Sequence, residues 1–244
     1  MLLNHSLCTA QAIDTMQSPV VFSGVITATN NGISLIPNFS LNKSAILFDL
    51  SLSKKRLSFD PMFRFGTNGK PWSFIFWWRY KMITGRKFTM SLGAHPAFLF
   101  RSQEVSIGSS KNEVLSAQRY FAWEVSPNVQ INKNFSLGLY YLGSHGLTKD
   151  LVQYTHFLSL RLGLPFISLS KGFRLSIQPQ IYLLKLDQLQ GSYLTATLSL
   201  WKSKFPLILN STINKTTRTE LAGNDIVWNV GVSYNFRSKF LRQK

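Results

Sequence analysis

Acidic residues are scarce in this chain: 10 Asp and Glu stand against 27 Lys and Arg, a formal net charge of +17 over 244 residues. Charge of either sign is thin, at 15% of residues, where soluble domains usually carry nearer a quarter. The single cysteine, Cys8, excludes an internal disulfide and any cysteine-rich metal site. It precedes the first expected strand and has no expected role in the folded domain. Long apolar runs are missing as well. A membrane helix needs roughly 20 near-continuous apolar residues, and the most apolar stretch, Pro71 to Trp78, already holds Ser73 and runs into Arg79 and Lys81. No glycine-rich phosphate loop, metal-ligand spacing or nucleophile elbow occurs, so neither cofactor nor metal is expected.

What is present is apolar and aromatic: 45% hydrophobic residues, with 19 Phe, 6 Trp and 8 Tyr. These residues alternate with a period of two, the signature of strands with unlike faces. From Trp72 the even positions are Trp72, Phe74, Phe76, Trp78, Tyr80 and Met82, whereas Ser73, Arg79 and Lys81 lie between them. Phe88 to Phe100, Phe121 to Ile131 and Phe173 to Leu183 repeat the pattern. The alternation predicts strands at 32–40, 44–53, 57–66, 72–84, 88–100, 118–131, 135–145, 152–168, 173–186, 191–202, 206–216 and 225–236. Many reach the roughly 9 to 11 residues that a tilted membrane strand needs. The expected fold is all-β: a closed antiparallel transmembrane β-barrel of about twelve strands.

Connections alternate in length. Short turns are expected at Lys54–Arg56, Gly85–Lys87, Asn132–Asn134, Ser170–Gly172 and Lys202–Lys204, and longer loops at Arg101–Ser116, Ser144–Leu151 and Asn214–Asn224. Short periplasmic turns with longer outer loops are typical of bacterial outer-membrane barrels, and an even strand count puts both termini on the periplasmic side. The acids Glu104, Glu113, Asp150, Asp187, Glu220 and Asp225 all fall in or beside the expected outer loops, and the five short turns hold none. The expected division is a leader or signal-peptide remnant over 1–12, a lead-in over 13–31, the barrel over 32–236 and a basic tail over 237–244. Ala10-Gln11-Ala12 has the small-residue spacing of a signal-peptidase site, although the apolar region before it is short.

The last expected strand places Ile226, Trp228, Val230, Val232, Tyr234 and Phe236 on one face. Of these, Trp228, Val230, Val232, Tyr234 and Phe236 resemble the terminal assembly signal of bacterial outer-membrane proteins. The resemblance implies recognition by the barrel-assembly machinery. That signal usually closes the chain, whereas eight residues follow Phe236 here. More broadly, the segments Gly24 to Phe39 and Lys70 to Lys81 resemble outer-membrane barrels of Bacteroidota. This implies a fold and an outer-membrane location, with no activity attached.

In a membrane barrel the apolar stripe meets lipid and the polar stripe lines the lumen. With a turn at Lys54–Arg56, Asp49 is expected opposite Asp60, with Arg56, Arg64 and Arg79 facing the same lumen. Two opposed carboxylates could share a proton, or could simply sit in a salt-bridge network that braces the wall. Arg161 and Arg174 are also expected inward, across from Glu124, where they would pack the wall or favour anions. His95 faces inward alone, His145 lies in a loop, and His156 falls on the lipid face. Ser159, three residues from His156, falls on the opposite face, which argues against a lipid-hydrolysing pair. Aromatics on the apolar face and cations in the turns do not make a nucleic-acid groove. The expectation is a membrane barrel with a narrow polar lumen, either a small-solute pore or a structural component. The alternatives are an integral outer-membrane enzyme acting on lipid and a soluble lipid-binding barrel. The expected partners are outer-membrane lipid, the assembly machinery and a small solute in the lumen.

Overall fold

Alternation of this kind makes strands that can bury one face only, and the stable outcome is a sheet closed on itself. The computed structural model describes residues 18–107, 110–149 and 151–240. The expected leader, Cys8 and Asp150 lie outside them. In chain order the strands are β1 (Val20–Thr29), β2 (Ala45–Lys54), β3 (Leu57–Gly66), β4 (Pro71–Thr84), β5 (Phe88–Ile107), β6 (Ser110–Asn132) and β7 (Phe135–Gly146). They continue with β8 (Tyr154–Gly163), the two-residue β9 (Ile167–Ser168), β10 (Phe173–Leu186), β11 (Leu189–Lys202), β12 (Leu207–Thr219) and β13 (Ile226–Phe240). All pairings are antiparallel. β8 passes to β10, and β13 pairs with β1, so the thirteen-stranded sheet closes as twelve long strands with β9 as an annex. Among the described residues no helix is long and apolar enough to cross a membrane.

The apolar stripes point outward. Trp78, Tyr80, Leu158, Leu160, Ile181, Leu183, Trp228 and Tyr234 are all exposed, and a soluble barrel would bury such side chains. Rings on neighbouring strands pack edge-on across this surface, as in Phe63–Phe74 at 5.4 Å and Phe74–Phe100 at 5.0 Å.

Several boundaries differ from the sequence-based expectation. Segment 32–40 is not the first strand. It is part of the β1–β2 loop, with a 3-10 turn at Pro37–Phe39. Pro37 has no N–H to give to a ladder. The first strand lies earlier, in the expected lead-in, where Val20–Thr29 pairs with both β2 and β13. The expected basic tail is likewise strand as far as Phe240, with Arg237 paired to Ser23 and Lys239 to Val21. Within Arg101–Ser116 the described residues, up to Ile107 and from Ser110, continue β5 and β6 as a paired extension rather than a loop. Polar residues there conceal the alternation while the two backbones still satisfy each other. The expected strand 152–168 breaks after Gly163, and Pro165 lies in the break before β9.

Two further differences matter inside the barrel. The β2–β3 turn has only Lys55 and Arg56 between the paired Lys54 and Leu57, with Lys55 at φ 54°. Asp49 therefore faces Met62 and not Asp60. In the β3–β4 ladder, an irregularity at Arg64/Phe65 turns Trp72 inward beside Ser73, so that the indole is buried instead of lipid-facing.

Candidate functional site

The inward stripe is mostly small and polar: Ser51, Ser58, Ser91, Asn128, Gln178, Gln180 and Thr197 line its turn-side half. Across this space runs one charged network. Arg79 on β4 donates from Nε to Glu124 Oε1 at 2.7 Å and from Nη1 to Asp60 Oδ2 at 3.0 Å. Ser51 and Ser58 donate to Asp60 at 2.5 and 2.9 Å. Tyr140 on β7 donates to Glu124 Oε2 at 2.8 Å. The Arg79 guanidinium lies 4.3 Å from the Trp77 ring centre. Glu124, at 4% exposure, fits only because its β5 neighbour is Gly93; a Cβ there would stand 2.9 Å from the carboxylate. The network thus ties β3, β4, β6 and β7 together inside the wall.

The other expected lumen residues fall around this centre. Asp49 and Arg64 face inward on adjacent strands but form no ion pair among the described residues. Asp49 Oδ1 and Arg64 Nε are both buried without a hydrogen-bond partner, and the Arg64 guanidinium sits 5.4 Å from the Trp72 ring centre. Arg161 stacks on the Tyr140 ring at 4.0 Å and donates to Ser159 Oγ at 3.3 Å. Two residues lie outside the network. Arg56 is exposed in the β2–β3 turn and donates to the Met82 carbonyl at 3.4 Å. Arg174 is exposed at the rim over the Phe166 ring at 4.9 Å. Arg56 is one of the two residues of the β2–β3 turn and so lies outside the wall, and Arg174 is only the second residue of β10, beyond the enclosed section. The proposed carboxylate pair does not form, because the register separates Asp49 from Asp60.

Sequence reasoning missed the partners that complete the centre. Tyr140 and Trp77 read as generic strand aromatics, and only cross-strand register brings them to Glu124 and Arg79. It also missed the β1–β2 loop, which folds into the loop end of the barrel. Leu35 and Ile36 pack against Phe157, Tyr182 and Leu184, while Phe39 and Leu41 pack against Ala45, Trp72 and Leu99 on the other side. Trp72 Nε1 donates to the Phe39 carbonyl at 2.9 Å, and Arg101 Nη1 to the Ser40 carbonyl at 3.3 Å. Between this stopper and the Arg79 network lies a cavity of about 410 Å³, bordered also by His95 and Leu99. His95 is buried there against Trp77, at 3.9 Å between ring centres.

Trp228, Val230, Val232, Tyr234 and Phe236, the residues expected to form an assembly signal, all sit on the outward stripe of β13, with Phe236 packed on Phe22 of β1 at the closing seam.

No family model matches the sequence, and no curated protein matches it. Among solved structures the chain is similar to the KdgM porin, with a TM-score of 0.52 and 11% identity over 88% of this chain and 99% of that one. LpxR from Salmonella typhimurium gives 0.49 and 12% over 88% and 99%. The beta domain of the Bordetella autotransporter Brka gives 0.46 and 11% over 90% and 99%. At such identities the likeness is one of fold, and the fold is that of the outer-membrane β-barrels.

Proposed function

We propose that this chain is a bacterial outer-membrane barrel acting as a narrow pore for small solutes, stoppered at its loop end by the β1–β2 loop. The observation that carries this reading is the pairing of a polar lumen with an apolar plug. The wall residues behind Leu35, Ile36 and Phe39 belong mostly to the barrel strands, whereas the plug is a single connection. In this reading the short turns and both chain ends face the periplasm, as the even strand number and the acid-free turns favour. Trp228 to Phe236 would serve the assembly machinery, and the likeness of two segments to Bacteroidota barrels suggests a source of that kind. Charge in the centre balances, with Arg64, Arg79 and Arg161 against Asp49, Asp60 and Glu124. The turn-end mouth is cationic, with Lys81, Arg237 and Lys239 on inward-facing positions. A weak preference for anions is the expected consequence. Ser159 is buried on the lumen side while His156 faces outward, so these two do not form the pair that the lipid-enzyme alternative would need.

Planar-bilayer recording tests the proposal. The intact protein should conduct weakly. A variant with residues 33–41 replaced by Gly-Ser-Gly should conduct several-fold more, with a reversal potential favouring anions in a KCl gradient. A folded, inserted variant that stays insulating would overturn the pore reading, as would an intact protein that is already wide open.

A further inference from the structure

Along the outward stripe, polar side chains gather at one place near the loop end. His156 on β8 is paired with Lys185 on β10, and Arg218 on β12 with Ser192 on β11. His156, Lys185 and Ser192 alternate with the buried, inward Thr155, Phe157, Leu184, Leu186 and Tyr193, and Arg218 pairs with Ser192, so all four point away from the lumen. Tyr141 on β7 fixes the imidazole through a 2.8 Å hydrogen bond between its hydroxyl and His156 Nδ1. These residues border a surface groove of about 500 Å³. The β11–β12 register shifts beside it, between Ser192 and Tyr193. Below it, toward the middle of the wall, the same stripe turns wholly apolar with Leu158, Leu160, Ile181 and Leu183.

Lys185 and Arg218 have no ion pair among the described residues. The one carboxylate in the groove, Glu220, accepts the Gln190 backbone N–H through Oε2 at 3.0 Å. We propose that this groove binds the phosphorylated headgroup of a lipid lying against the barrel. Lys185 and Arg218 take the phosphate, the His156–Tyr141 pair flanks it, and an acyl chain follows Leu158 and Leu183 down the wall. Two unpaired cations directly above an apolar stripe match a ligand that is anionic at one end and hydrocarbon at the other. A free phosphate would use the cations but leave the stripe idle. The inference rests on the membrane reading and is independent of whether the lumen conducts.

The test uses the full chain in dimyristoylphosphatidylcholine vesicles with spin-labelled phosphatidic acid or spin-labelled phosphatidylcholine. The motionally restricted fraction of each label reports lipid held at the protein surface. A cation near the headgroup contributes about fivefold, so the protein should hold phosphatidic acid several-fold over phosphatidylcholine. Lys185→Gln with Arg218→Gln should abolish most of that preference, and Lys185→Arg with Arg218→Lys should keep it. Lys87→Gln with Lys133→Gln, which removes two turn-end cations, should leave it in place. Equal selectivity in the Lys185/Arg218 double variant, or equal loss in the turn-end control, would overturn the site. Loss of selectivity on adding millimolar inorganic phosphate would overturn the lipid as ligand. A barrel that fails to enter the bilayer would show no restricted lipid of either kind, which separates failure of the membrane reading from failure of this one.

Discussion

Replacing Arg79 by Met should cost about 3 kcal/mol of stability, because it strips one cation from two carboxylates at once. The structure sets that magnitude. Arg79 makes charged hydrogen bonds at 2.7 and 3.4 Å to Glu124 and 3.0 Å to Asp60. Removing one partner of a buried pair typically costs about 3 to 5 kcal/mol. The Arg79 side chain retains 32% exposure, so lumenal water softens the loss toward the lower end. About 3 kcal/mol is roughly a 150-fold fall in the folding constant. The assay is urea unfolding in lipid vesicles, followed by tryptophan fluorescence. A double-variant cycle sharpens it. Glu124→Gln alone should cost roughly 1 kcal/mol, since the amide oxygen still accepts from Arg79 and the amide NH2 can donate to the Tyr140 hydroxyl. Added to Arg79→Met, it should recover stability, because the stranded carboxylate is gone. Purely additive costs, or an Arg79→Met penalty below about 0.5 kcal/mol, would show that the network is solvated and does not brace the wall.

Two other substitutions test the faces of the sheet. Ile181→Arg, on an outward position at 56% exposure, should destabilise the barrel in a bilayer by about 2 to 4 kcal/mol. Gln180→Arg, one residue away and facing the lumen, should cost under about 1 kcal/mol in the same urea titration; equal costs would mean the stripes are misassigned. Gly143→Val should lower the unfolding midpoint by an amount equivalent to about 1 to 3 kcal/mol. A Cβ at Gly143 would stand 2.6 Å from the Trp123 ring that covers it, so an unchanged midpoint would show that the ring has free room to leave.

The stripes were legible because period-two alternation is a local property. Phe74, Phe76 and Trp78 are outward wherever their strand pairs. Register was not legible, and it decides the lumen. The contact of Asp60 with Ser51 instead of Asp49 depends on a two-residue turn whose Lys55 takes a positive φ. Lysine there gives none of the signal that Asn-Gly would. The first strand was misplaced for a related reason. Ile33 to Phe39 carries enough apolar residues to resemble a strand, yet those side chains serve as a plug. Val20–Thr29 has a weaker pattern, with Gly24 and Ala28 on its outward face, and is recruited by β2 and β13 together.

The amino-acid order alone therefore determined the class of molecule. Too little charge, no long apolar run and repeated alternation leave a closed barrel in an apolar solvent, since only closure satisfies every strand's backbone there. Tertiary structure decided what the barrel encloses: Arg79 reaching Glu124 across 45 residues, Tyr140 completing that carboxylate, and Leu35 and Phe39 filling the loop end. Such contacts depend on pairing offsets and on which connection folds inward. A shift of two residues keeps every side chain on its face while exchanging all of its partners.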